Sequence, residues 1–169
     1  EDVARHFPAV MEERLKNIQE FLNALEVKTR SGDAIGSDKV VTKYAELAEI
    51  YVAGETKTMD PRAMVGPNLP NWSRAMEIGR QYHPAFDSLE EYAQRLMARN
   101  SYQVLGYDLN SPATFIVYWK DPTAGGSGTD QALRIAEAFH IPTFNVHFEE
   151  EYHTLLKWLN EILQEVLKG

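Results

Sequence analysis

Between Phe7 and Leu25, apolar residues fall at Val10, Met11, Leu15, Ile18, Leu22 and Leu25, with Glu and Lys between them. This spacing puts them on one stripe of an amphipathic packing helix. Val27 to Thr29 is too short to read as a strand, and the stretch from Ser31 to Asp38 reads as a tight turn leading into a second helix. Ser37 or Asp38 caps that helix, which runs to about Leu47. Glu49 to Ala53 has the β-branched and aromatic character of a short strand bounded by Gly54, and the segment from Gly54 to Pro70 is the longest irregular one. Helical spacing returns from Asn71 to about Tyr82, stops at His83-Pro84 and resumes from Ser88 to about Arg99. Ser88 and Glu91 there have the spacing of a capping box.

The strongest strand signal is Thr114 to Trp119, whose nearly continuous apolarity predicts burial on both faces, as in a parallel sheet. A glycine-rich segment follows, then a helix from about Thr129 to Phe139 and a strand at Pro142 to Val146. Strand, helix and strand make a βαβ unit, and its right-handed crossover makes the two strands parallel. Residues 150–168 form a C-terminal amphipathic helix, with Tyr152, Leu155, Leu156, Leu159, Ile162, Leu163 and Val166 on one stripe. That stripe covers the sheet or forms a homodimer contact. The expected organisation is one α/β domain over 1–169, opened by a helix within 1–25, with a mostly parallel sheet.

Composition narrows what such a domain can do. The chain has 169 residues and 44% hydrophobic content, enough for one sizeable core. Seventeen basic against 25 acidic residues give a formal net charge of -8, which argues against a surface that tracks nucleic-acid phosphates. A local anion site is still open to it, because backbone N–H groups supply one without lysine. There is no cysteine, so disulfides and thiolate metal sites are excluded. No apolar run has the length of a membrane span and no signal segment opens the chain, so no membrane partner and a cytoplasmic location are expected.

The chemistry concentrates at Gly125, Gly126, Ser127, Gly128 and Thr129. In a parallel α/β sheet, ligands gather outside the carboxyl ends of the strands, where the segment after Trp119 falls. The glycines permit close approach of a ligand to the backbone, the hydroxyls add donors, and the N–H groups at a helix start face an anion. A plain surface turn is the alternative use of such residues. No Lys follows the last glycine, so this is not a Walker loop, and it does not match Gly-x-Gly-x-x-Gly.

Gly125-Gly126-Ser127-Gly128-Thr129 resembles the Gly-Gly-x-Gly-Thr signature of the SLOG superfamily, which includes cytokinin-activating phosphoribohydrolases, DNA-processing protein A and many nucleotide-ligand sensors. Further stretches resemble a group of small SLOG-like proteins common in bacteriophages. They are His83-Pro84-Ala85-Phe86, Ala98-Arg99-Asn100, Gln103-Val104-Leu105-Gly106, Asp108-Leu109, and Gln131 to Ala136 through Ile141 to Asn145. Arg30-Ser31-Gly32-Asp33-Ala34-Ile35-Gly36-Ser37-Asp38 resembles that group's Arg-Ser-Gly-Gly-Ala-x-Gly-Ala-Asp turn. The resemblance spans about residues 29 to 146.

It implies a Rossmann-like three-layer sandwich that lacks the usual first strand, since this chain opens directly into a helix. It also implies that the turn faces the same cleft as the glycine segment. Ser31, Gly32, Asp33 and Gly36 then hold a second phosphate or a ribose, and Asp38 accepts from ribose hydroxyls or caps its helix. From their own positions in the chain, Arg99 and Asn100 either reach this cleft, with Gln131 beside the glycine segment, or are a solvated Arg and a turn-forming Asn, and Trp119 either stacks on a base or belongs to the core. Two departures bear on function. Asp33 stands where relatives carry a second glycine, adding negative charge and bulk. Ala132 stands where the phosphoribohydrolases carry a Glu, and neutral Gln131 cannot replace a carboxylate in stabilising an oxocarbenium-like transition state.

The function expected is binding of a nucleotide-derived small molecule, a cyclic nucleotide or an ADP-ribose derivative. The protein then acts as a sensor, or as a phage-encoded sponge that sequesters the signal in the host cytoplasm. The alternative is a nucleotide N-glycosidic hydrolase. No catalytic residue and no cofactor are assigned. The five histidines, His6, His83, His140, His147 and His153, are dispersed, so no metal is assigned either. The run Glu149-Glu150-Glu151 is helix-start charge favoured by the macrodipole.

Overall fold

A computed structural model describes residues 7–34, 36–123 and 128–169. The first apolar stripe forms α1 (Ala9–Ala24), which buries Met11, Leu15, Ile18 and Leu22. The helix stops where Glu26 takes a left-handed φ of 57° and Val27 donates its N–H back to the Leu22 carbonyl at 2.9 Å. Such a reversed last turn satisfies carbonyls that the helix leaves unpaired. Next come β1 (Thr29–Ser31), α2 (Ser37–Tyr44), β2 (Ala48–Val52) and β3 (Ala63–Val65). The three strands form one parallel sheet in the order β1-β2-β3.

Here the structure corrects three sequence expectations. Arg30 and Ser31 belong to a strand rather than a turn, because they pair with Glu49 and Ile50 of β2. The segment expected to be irregular contains β3, whose Ala63 and Val65 lie opposite Ile50 and Val52. Helix α2 ends at Tyr44, short of Leu47, because Arg62 takes its terminal carbonyls. The Arg62 guanidinium donates to Thr42 and Ala45 at 3.0 Å each and is itself held by Asp60 at 2.9 Å.

After a 3-10 turn at Gly66–Asn68 come α3 (Trp72–Gln81) and α4 (Glu91–Leu105). Ser88 is no capping box partner, since it lies in a 3-10 turn at Phe86–Ser88 and its hydroxyl donates to Ala85 at 2.8 Å. The helix expected to end near Arg99 continues to Leu105, so Arg99 and Asn100 sit inside it. The βαβ unit forms as expected from β4 (Ile116–Tyr118), α5 (Gly128–Ala138) and β5 (Thr143–Asn145), with parallel strands. Asn145 locks the end of this pair: its side chain accepts from the Lys120 N–H at 3.1 Å and donates to the Lys120 carbonyl at 2.9 Å. Helix α6 (Glu149–Lys168) completes an α/β fold with six helices and two small parallel sheets among the described residues, compatible with a Rossmann-like arrangement.

Helix α1 packs on α2 and α6, while α4 packs on α3 and α5. Strand β4 and its flanks show what this does to side chains. Phe115, Val117 and Trp119 join the core cluster of α1 and α6, whereas Ile116 joins that of α4 and α5. Tyr152, Leu155 and Leu159 of α6 are buried in the first of these clusters, and Val166 and Leu167 at its far end are exposed. None of the described helices is long and apolar enough to cross a membrane. The expected full burial of β4 is not observed. Residues 115–119 are only half-buried, because the edge of β4 away from β5 borders a cavity.

Candidate functional site

That cavity has a volume of about 570 Å³ and lies between β1 and β4, with α1 and α4 as its other walls. Small-molecule sites commonly occupy about 300–1,000 Å³. Of the residues singled out from sequence, Ser31, Asp38, Arg99, Asn100, Gly128 and Thr129 line it, as does Ala132. Gly32, Asp33, Gly36, Trp119 and Gln131 lie outside the lining. Gly125, Gly126 and Ser127 lie outside the described residues.

Lys28, Arg30, Asp38 and Glu49 also line the cavity, but of these charged residues Arg99 alone is buried. It is 8% exposed, and one of its terminal nitrogens donates to the carbonyls of Gly32 at 2.7 Å and Tyr51 at 3.2 Å. Among the described residues its Nε has no hydrogen-bond partner, and neither has the hydroxyl of Ser31, which lines the same cavity. The guanidinium forms no ion pair with a described carboxylate. Burial pushes its pKa down, and longer-range attraction to Asp38 acts in the opposite sense. A buried cation without a counter-ion is expensive, and an anion is what relieves it. Gly32 makes this placement possible, because a Cβ there would run into the guanidinium.

The turn after β1 is built around its two unusual backbone positions. Gly36 has a φ of 104° and precedes α2, a conformation L side chains rarely adopt. Asp33 has a φ of 58°, tolerable for Asp, and its carboxylate is 3% exposed. One oxygen pairs with Lys39 at 2.8 Å and the other accepts the Asp60 N–H at 2.8 Å. The extra charge expected from Asp33 is therefore neutralised within the turn. Lys39, the residue that does this, carried no signal in the sequence, since partners six apart across a turn have no fixed geometry. Asp38 accepts the Ala34 N–H at 3.2 Å, closing the turn while its side chain borders the cavity.

On the opposite side, Asn100 orients the start of α5. Its amide donates to the Gly128 carbonyl at 3.1 Å and to the Gln131 side chain at 3.0 Å. Gln131 is fully buried and passes the chain on to the Gly79 carbonyl at 3.4 Å. These groups form a neutral, partnered network at the junction of α3, α4 and α5, and Gln131 serves that junction from behind the cavity wall. Trp119 also stands beside the cavity rather than in it. Its indole N–H donates to His147 at 3.3 Å, and its ring packs edge-on against Phe7 at 5.2 Å.

Behind Arg99, Tyr51 and Tyr102 stack at 5.1 Å, with Trp72 6.3 Å from Tyr102. Burial raises both phenols, that of Tyr102 up to about 12. Among the described residues no group of three metal-ligating side chains comes together. No protein-family model, curated protein or solved structure matches this chain.

Proposed function

We propose that the protein binds a nucleotide-derived small molecule through its phosphate, and holds it rather than cleaving it. The observation that carries this reading is the Arg99 guanidinium, buried at the cavity wall with an Nε that, like the Ser31 hydroxyl of the same lining, has no partner among the described residues. A phosphate oxygen supplies what both atoms lack, in the charge-assisted form that Arg favours. Helix α5, which begins at Gly128 on the cavity wall, adds the positive end of its dipole. These features agree with the resemblance to SLOG proteins and with a three-layer Rossmann-like sandwich, in which a ligand sits at the carboxyl ends of the strands.

Retention is favoured over hydrolysis by Ala132. Its methyl group lines the cavity where the resemblance would put a carboxylate, so nothing at that position stabilises an oxocarbenium-like charge. The protein then works as a sensor or a sponge for the signal it holds.

Calorimetric titration of the intact chain with AMP, ADP-ribose and cyclic nucleotides, each beside its phosphate-free nucleoside, tests the reading. Binding that requires the phosphate is expected, with the ligand recovered intact by mass spectrometry after denaturation. Nucleosides binding as well as nucleotides would sink the phosphate assignment, and released base would sink retention.

A further inference from the structure

Helix α4 carries a stripe of side chains that runs out of the cavity. Leu96, Arg99 and Gln103 line the cavity wall, and steps of three and four residues keep them on one face of the helix. One turn nearer the start of α4, the same face carries Tyr92, which is 52% exposed. Helix geometry sets Tyr92 within about 20° of Arg99 around the axis and about 10 Å from it along the axis. Tyr92 therefore stands at the rim, where the wall continues into solvent.

This rim lies at the carboxyl ends of the strands. The Tyr92 ring is 4.0 Å from the place of a Cβ on Gly54, two residues past β2. Arg99 reaches Gly32, just past β1, and Asn100 reaches Gly128 at the start of α5. Tyr92 is also near enough to act electrostatically on the Arg99 guanidinium, as are Asp38 and Asp33. Other aromatic rings of this region are committed elsewhere. Trp119 gives its indole N–H to His147 and packs edge-on against Phe7, and Tyr51 stacks on Tyr102 behind the site. Tyr92 makes no ring contact among the described residues, and with half its surface exposed it can offer a ring face to a planar partner.

We propose that Tyr92 is the stacking platform for the base of the nucleotide whose phosphate Arg99 holds, so that the site selects nucleotides over bare sugar phosphates. This inference rests on the phosphate reading above. The separation of the two residues along α4 is close to the length of a nucleoside monophosphate, with Leu96 on the same face between them. Aromatic stacking adds affinity for any base, because every base has a π face, while the charge is met by the guanidinium. Tyr92 thus takes the part expected from sequence for Trp119.

Calorimetric titration with AMP and with ribose 5-phosphate, which keeps the phosphate and lacks the base, tests it. The unaltered chain should bind AMP at least about tenfold more tightly than ribose 5-phosphate. Tyr92→Ala should remove that advantage, weakening AMP about tenfold and leaving ribose 5-phosphate within about twofold of its original affinity. Tyr92→Phe keeps the ring and loses the hydroxyl, and it should hold AMP to within about threefold of the unaltered chain. Because Tyr92 is exposed, neither variant disturbs the core. The inference is overturned, with the phosphate reading left standing, if the unaltered chain binds both ligands equally. It is overturned in the same way if Tyr92→Ala leaves AMP unchanged or weakens both ligands alike, or if Tyr92→Phe loses as much as Tyr92→Ala. If neither ligand binds the unaltered chain, the phosphate reading falls and takes this inference with it.

Discussion

The two sides of the cavity are held by successive residues of α4 and are built on opposite principles. Asn100 works toward α5 through a neutral network in which each amide finds a partner on Gly128, Gln131 or Gly79. Arg99 works toward β1 and β2, where it brings a full charge into the interior and leaves part of it unanswered. The first arrangement is what stability alone would select. The second carries a desolvation cost that a partnered or apolar residue would avoid, and it is therefore where ligand chemistry is to be sought.

The largest effect expected from disturbing this contrast is at Gly32. Gly32→Ala puts a methyl group into the Arg99 guanidinium, and it should lower unfolding stability by about 3 kcal/mol or more in urea titrations. It should abolish phosphate-dependent binding as well. Next is Arg99→Met. Removing the charge also removes its desolvation cost, so stability should shift by less than about 2 kcal/mol. Nucleotide affinity should fall on the order of 100-fold by calorimetry. Unchanged affinity in this variant would break the comparison outright.

On the neutral side the order reverses. Gln131→Ala strands the Asn100 amide in a buried site and should cost about 2 kcal/mol of stability, while affinity changes only a few-fold. The mildest test uses pH. Burial raises the Tyr102 phenol from near 10 to about 12 and raises Tyr51 as well, so the folded protein keeps protons that the unfolded chain gives up. This contribution is fully present below pH 10 and is lost as pH rises toward 12. Midpoints of urea unfolding measured across that interval should fall steadily, and Tyr102→Phe should flatten the decline.

How these residues would be placed was only partly legible from the chain. Elements with their own periodicity, such as α1, α3, α5 and α6, announce themselves, and so does the apolar run that gives β2. Strands β1 and β3 do not, because three residues carry too little pattern and their extended state comes from pairing with β2. The most informative miss is the end of α4. Arg99-Asn100-Ser101 reads as the polar close of a helix, yet all three are buried in its interior. Their partners are the Gly32, Gly128 and Ala75 carbonyls, which come from β1's turn, α5 and α3 and which no local window contains. For the same reason the turn and the start of α5 could be matched to one cleft by resemblance, while the unpaired state of Arg99 could not be read at all.

The division of the strands into β1-β2-β3 and β4-β5 also has a mechanical consequence. Each set is made from consecutive stretches of chain, and no ladder hydrogen bond among the described residues joins one set to the other. Each can zip up early from near neighbours, leaving the docking of the two as the late step in folding. In the finished protein a change in the separation of β1 and β4 would break no rung of either sheet, so resistance to it comes from the helices packed across the two sides, α1 and α4.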